Sequence, residues 1–238
     1  MKRLGLIGGS SASATALLTD YLREETETRL GCGQAPELVT FSLNPQEVRR
    51  HLQDGAWPQL TARLTPAVQG MAAAGAKALI LGSSVLQIVQ PQLAESTPLP
   101  IFGMIDPVID EARRHGVGCL ALVGTRCRDE EEAWRAPLRQ ADIDLALPLG
   151  PDRAMVTTII DEELAQGHCR EPSQVDLMRL LIALVGQGAQ GIVFTQPELS
   201  LLVDPSDCRM PVWSGLRLCA RCVVDWAVTA GPARTEIS

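Results

Sequence analysis

Lys77-Ala-Leu-Ile-Leu-Gly-Ser-Ser84 and Gln190-Gly-Ile-Val-Phe-Thr-Gln-Pro197 read as two copies of one device. Each follows a run of small residues ending in Gly-Ala, at 71–76 and 184–189, and each gives a short apolar run before a polar turn. An apolar run without alternation marks a strand buried on both faces, as in parallel sheets. The same pairing links Leu4-Gly-Leu-Ile-Gly-Gly-Ser10 with Leu120-Ala-Leu-Val-Gly-Thr125, Glu37-Leu-Val-Thr-Phe-Ser42 with Ile143-Asp-Leu-Ala-Leu147, and Leu99-Pro-Ile-Phe-Gly103 with Met210-Pro-Val-Trp-Ser214. Four strand signals recur in one order, separated by helical stretches. The expected fold is therefore α/β: two similar Rossmann-like (flavodoxin-like) lobes with parallel sheets, related by a pseudo-two-fold, with a ligand pocket between them. Residues 1–116, closed by residues 209–238, make the first lobe, and residues 117–208 the second. Ligands in such folds bind at the carboxyl ends of the strands, so the two quoted tips should face one another.

With 238 residues, 46% of them hydrophobic, the chain can bury one large core or two modest ones. A formal charge of −7, with 21 Lys and Arg scattered along the chain, argues against a nucleic-acid or anionic-membrane surface. No apolar run approaches the roughly 20 residues that span a bilayer, and Met1-Lys-Arg-Leu-Gly-Leu-Ile-Gly-Gly breaks at glycines too early for a signal peptide. A cytoplasmic protein is expected. Seven irregularly spaced cysteines do not make a secreted disulfide framework, so reduced thiols are expected. Cys219-Ala-Arg-Cys222 has the CxxC spacing, but it lies in a helical stretch without a second pair. Small buried helix residues explain it better than a zinc or redox site. No metal and no cofactor are expected.

Gly8 and Gly9 free the turn after the first strand, and Ser10, Ser11, Ser13 and Thr15 set hydroxyls beside the next helix N-terminus. That arrangement is a seat for an anion such as a carboxylate, or simple helix capping. No GxGxxG and no Walker-type phosphate loop occurs, which leaves nucleotide cofactors unsupported. Asn44 opens the loop after the second strand and is a further candidate for binding. Arg49, Arg50 and His51, on the helix beyond it, face a ligand or solvent, and a charged helix face needs no ligand to explain it.

Met1-Lys-Arg-Leu-Gly-Leu-Ile-Gly-Gly-Ser-Ser-Ala-Ser-Ala-Thr15, the Gly124-Thr-Arg126 strand end before an acidic helix, Asp161-Glu-Glu-Leu164, Gly188-Ala-Gln-Gly-Ile-Val193, Glu198 and Leu201-Leu-Val203 carry a resemblance. Together, over nearly the whole chain, they resemble the aspartate/glutamate racemase superfamily. The resemblance implies a cofactor-free protein, usually a homodimer, that takes a small-molecule carboxylate or amino acid between its lobes. Racemases of this kind place one cysteine at each strand tip: one thiolate removes the α-proton while the opposing thiol delivers a proton to the other face. Here the first cysteine position is Gly82, or Ser83 if the turn is shifted, with Ser84 beside it, and the second is Gln196. Glycine carries no proton, glutamine does not ionise, and a serine hydroxyl is far less acidic than a thiol. Racemisation by two thiols is not expected.

The resemblance also implies that Ser11, Thr15 and Thr125 hold a carboxylate, and it matches Gln87 to a position that often carries histidine. Arg128 and Arg217 bring cations to loop positions where a bidentate carboxylate would fit. Cys219, on the closing helix where the family commonly has histidine, could be a thiolate if helix amides and Arg217 lower its pKa, with Glu198 as partner acid. Against this, Cys222 one turn later shows that the helix accepts cysteine without chemistry. Three functions follow: an enzyme of diverged chemistry (lyase, isomerase or cyclising enzyme), a catalytically inactive racemase-like binding or regulatory protein, and an amino-acid racemase with replaced acid and base groups.

Overall fold

The structure, a computed structural model, describes residues 1–9, 11–204 and 207–229. Ser10 and the tail 231–238, the latter expected to fray, lie outside the described residues. The first half runs β1 (Leu4–Gly8), α1 (Ala12–Leu30), β2 (Leu38–Ser42), α2 (Pro45–Asp54), α3 (Trp57–Ala73), β3 (Ala78–Leu81), α4 (Gln90–Glu95), β4 (Ile101–Phe102) and α5 (Ile105–Arg114). The second runs β5 (Cys119–Val123), α6 (Arg128–Gln140), β6 (Asp144–Ala146), α7 (Pro151–Thr158), α8 (Glu171–Gly186), β7 (Gly191–Phe194), β8 (Val212–Ser214) and α9 (Gly215–Thr229). Two four-stranded parallel sheets result, ordered β2-β1-β3-β4 and β6-β5-β7-β8. The two-lobed α/β fold expected from the repeat is the fold observed.

The continuous apolar runs are buried on both faces because each face has its own layer. Leu4, Leu6, Ala78 and Ile80 of the first sheet and Leu120, Leu122 and Val193 of the second contribute to one core. Leu18 and Leu22 of α1, Val108 of α5, Trp134 and Leu138 of α6, and Val223 and Val224 of α9 complete it. The alternate residues turn outward: Ile7, Leu79 and Leu81 pack with α2 and α3, while Ala121, Val123, Ile192 and Phe194 pack with α8. The lobes thus share a central core, and burying a large side chain there contributes about 1.5–3 kcal/mol.

One boundary needs correction. β8 pairs with β7, with Phe194 beside Ser214, so the last strand belongs to the second sheet. The chain rejoins the first lobe only at α9, whose apolar face (Leu216, Cys219, Ala220, Val223, Ala227) packs among α1 and α5. A boundary at 209 cuts the second sheet.

Two helical stretches are irregular. The stretch from Val85 is a 3-10 turn, Val85–Val89, before α4, because Pro91 lacks the N–H that a continuous helix would use. α7 stops at Thr158 and continues as a π-helical turn, Ile159–Glu163, and a 3-10 turn, Leu164–Gln166. Gly9 and Gly124 follow β1 and β5 at equivalent places, with φ of 99° and 109°. A Cβ at Gly9 would lie 2.1 Å from the Leu43 carbonyl oxygen. Among the described residues, no helix is long and apolar enough to cross a membrane.

Candidate active site between the lobes

The carboxyl ends of the inner strands open on a cavity of about 210 Å³. Ser11 and Ser13 at the start of α1, Val48 and Arg49 of α2 and Val85 line it from the first lobe. Arg126 after β5, Asp161 in the π turn, and Gln196 and Glu198 after β7 line it from the second.

Glu198 is the centre of this arrangement. Its side chain crosses to the first lobe, where Ser11 Oγ and Ser13 Oγ each donate to Oε1 at 2.7 Å. The residue is 1% exposed, and Oε2 has no hydrogen-bond partner. Ser11 also caps α1, its Oγ accepting from the Ala14 N–H at 2.9 Å. Capping and anion seat are therefore one structure, and the anion in it is the chain's own carboxylate, which the positive end of the helix favours. Thr15 faces the other way and braces the turn: its Oγ1 accepts from the Gly9 N–H at 3.0 Å and donates to the Ser11 carbonyl at 3.2 Å.

Arg126 supplies the facing cation. Its Nη1 donates to Asp161 Oδ1 at 2.8 Å, and both side chains are only partly exposed. The extra residue of a π turn changes the direction of the side chains after it, and such turns recur at functional sites. Behind the cavity wall lies a buried polar chain. Gln196 Nε2 donates to Ser84 Oγ at 3.3 Å, so the two strand tips do meet. Ser84 Oγ in turn donates to Glu130 Oε1, and the Arg126 backbone N–H donates to Glu130 Oε2 at 2.8 Å. Glu130 has no solvent exposure, and burial pushes its pKa up to about 7 against the pull of the Ser84 and Arg126 bonds.

The remaining predicted residues lie elsewhere. Ser83 is buried with an unpartnered hydroxyl, and Gln87 braces the same turn, donating to the Ser83 carbonyl at 3.3 Å and accepting from the Met104 N–H at 3.1 Å. Asn44 caps α2 through the Gln46 N–H at 2.9 Å. Thr125 is buried outside the lining, and Arg128 is exposed on the first turn of α6. Arg217 stacks over Tyr21 at 4.8 Å and pairs with Glu24 at 2.8 Å, facing a different cavity. A Cβ on Gly82 would meet the Ile7 carbonyl oxygen at 3.0 Å and the Leu18 side chain at 3.3 Å, so this position points into the core.

The expectation of a Cys219 thiolate is corrected. Cys219 lies on the apolar face of α9 with no exposure, and burial pushes its thiol pKa up, since the charged form has lost its water. Arg217, engaged with Glu24, offers it no compensation. Among the described residues no cysteine lines the cavity, and no three His, Cys, Asp or Glu side chains are grouped to hold a metal.

A family model described as Asp/Glu/hydantoin racemase matches residues 7–223. The structure of a candidate Asp/Glu racemase from Yersinia pestis superposes with a TM-score of 0.87 at 28% identity, covering 96% of this chain and 100% of that one. An aspartate racemase homologue from Pyrococcus horikoshii gives 0.84 at 22% identity, again over 96% and 100%. Unliganded arylmalonate decarboxylase gives 0.57 at 18% identity over 99% and 97%, a likeness of fold alone.

Proposed function

The chain belongs to the Asp/Glu/hydantoin racemase family, and from that premise we propose an enzyme of diverged chemistry on a small amino acid or carboxylate, with one carboxylate in place of two thiols. The observation that carries the proposal is Glu198, a residue of the inter-lobe cavity wall whose buried Oε2 has no hydrogen-bond partner. Two serine hydroxyls fix Oε1, so Oε2 keeps free lone pairs at a defined position, as a general base requires. Arg126 has guanidinium donors beyond the one given to Asp161, and Arg49 stands at the rim, so a substrate carboxylate has cations to meet.

A racemase needs a proton carrier on each face of the substrate carbon. Gln196, on the same tip as Glu198, hydrogen-bonds without ionising, and the opposing tip after β3 carries Gly82, Ser83 and Ser84, none of which is an acid or base near neutral pH, so the chemistry is confined to one face: proton exchange with retention, elimination, ring closure, or loss of carbon dioxide followed by protonation. Arylmalonate decarboxylase shares the fold, which supports lyase chemistry as one option on this scaffold. A second reading, a binding protein without turnover, is favoured by one feature: Ser11 and Ser13 are already satisfied by Glu198.

The test follows substrate protons by NMR in D₂O with aspartate, glutamate and substituted malonates. The expected result is stereochemically one-sided exchange or decarboxylation, reduced about a hundredfold or more in Glu198→Gln. Racemisation at enzymatic rates that survives Glu198→Gln would overturn the proposal. Binding without turnover, seen as a raised melting midpoint, would select the second reading, since a ligand at a hundred times its Kd adds about 2.7 kcal/mol of apparent stability.

A further inference from the structure

The Glu130–Ser84–Gln196 chain is buried at one end and reaches the cavity at the other. Each member has limited options. An ionised carboxylate only accepts, so the single Ser84 proton is given to Glu130, and Ser84 Oγ must accept from Gln196. Accepting from Gln196 fixes the amide with Nε2 toward Ser84, leaving the carbonyl oxygen Oε1 as the end turned away from it. A protonated Glu130 reverses these roles. Its own O–H donates to Ser84 Oγ, the Ser84 proton turns to Gln196, and Gln196 accepts it only by exchanging the places of Oε1 and Nε2. No net proton crosses the chain; the proton gained by Glu130 comes from solvent and each hydroxyl keeps one.

We infer that Glu130 and Ser84 are positioning residues for Gln196, and that the protonation state of Glu130 decides whether the cavity wall presents an amide carbonyl or an amide N–H₂ to a ligand. This rests on the reading of the cavity as the ligand site. The charged groups facing Glu130 are Arg126, which favours its ionised form, and Glu131, which favours its protonated form and is itself paired with Arg153 of α7. From the turn after β3 it meets the uncharged Ser84 hydroxyl. With burial dominant, the exchange falls near neutral pH, where its titration is readily followed. A carboxylate-rich ligand gains a hydrogen bond in the low-pH arrangement, and a ligand presenting N–H or O–H gains one in the high-pH arrangement.

The experiment reads Gln196 directly, without a substrate. Side-chain amide ¹H–¹⁵N resonances, assigned by loss in Gln196→Ala, are followed from pH 5.5 to 8.5 in the unliganded protein. A single titration near pH 7 is expected in the wild type and none in Glu130→Gln or Ser84→Ala, with Glu130→Gln held at the low-pH shift because its amide donates to Ser84 permanently. Malonate is the binding probe: its affinity should fall about fivefold from pH 6.5 to 8.5 in the wild type, one ordinary hydrogen bond's worth, and stay level in Glu130→Gln. Gln196 shifts that ignore pH in the wild type, or that titrate unchanged in both variants, would overturn the inference. Resonances that titrate as expected while malonate binds at no pH support the chain of hydrogen bonds and count against the cavity as a carboxylate site, so the two failures are distinguishable.

Discussion

The resemblance matches Gly82, or Ser83 if the turn is shifted, to a thiol position, and the surroundings of Gly82 argue against simple restoration there. A Cβ there meets the Ile7 carbonyl oxygen at 3.0 Å and Leu6 and Leu18 at 3.3 Å. Gly82→Cys should cost about 1–3 kcal/mol by overpacking, lower the urea midpoint, and leave a thiol slow to react with iodoacetamide. Gln196→Cys, on the cavity wall, should instead react readily and be protected by a bound carboxylate. A fast-labelling, fully stable Gly82→Cys would show that the turn presents this position to the cavity. Other residues show where sequence reading succeeds and fails. The serines after β1 were legible because a helix N-terminus needs hydroxyls, whereas Arg126 and Arg128 stand two residues apart with equal credentials. Cys127 as the N-cap decides between them, leaving Arg126 before the helix and Arg128 on its exposed first turn. Glu130 carried a signal of its own within the acidic start of the helix: it lies four and eight residues before Trp134 and Leu138, on the buried stripe of α6.

The strands were legible in order and nearly in length because an apolar run between turn residues leaves little choice, and the duplication shows in the order that the two sheets share. The π turn was not. Asp161 and Glu163 lie in a stretch with ordinary helical composition, and only Gly167, with φ of 77°, punctuates its end. Yet this turn places Asp161 against Arg126. Their partly exposed ion pair is worth at most about 1 kcal/mol to folding, so Asp161→Asn should move the melting midpoint little. Its effect belongs to the cavity: one negative charge is removed and Arg126 is released, so malonate, measured by calorimetry, should bind several-fold more tightly. Unchanged or weaker binding in Asp161→Asn would mean that the pair orients Arg126 rather than restraining it.

Between the lobes, polar bonds gather around the cavity while the shared apolar core lies between the sheets. Ser11 and Ser13 reach Glu198, Ser84 reaches Glu130, and Trp57 Nε1 donates to Asp129 Oδ2 at 2.6 Å. Because Glu130 is part of this seam, its titration is linked to the stability of the whole molecule. Its folded pKa is raised from 4.5 to about 7. Between those values the folded protein keeps a proton that the unfolded chain gives up, so stability falls as pH rises through that window and levels off above it. The contribution is fully present below about pH 4.5 and lost above about pH 7. At about 1.4 kcal/mol for each pH unit over which the two states differ, the span is worth up to about 3.5 kcal/mol. Glu130→Gln resembles the protonated acid in shape and in its ability to accept from Arg126 while bonding Ser84, but it does not titrate. Urea unfolding at pH 5.5 and pH 8 should therefore show a loss in the wild type that the variant lacks, with the variant the more stable at pH 8. Parallel wild-type and Glu130→Gln profiles would mean that Glu130 is charged in the folded state throughout this range, held so by Arg126 and Ser84 despite its burial.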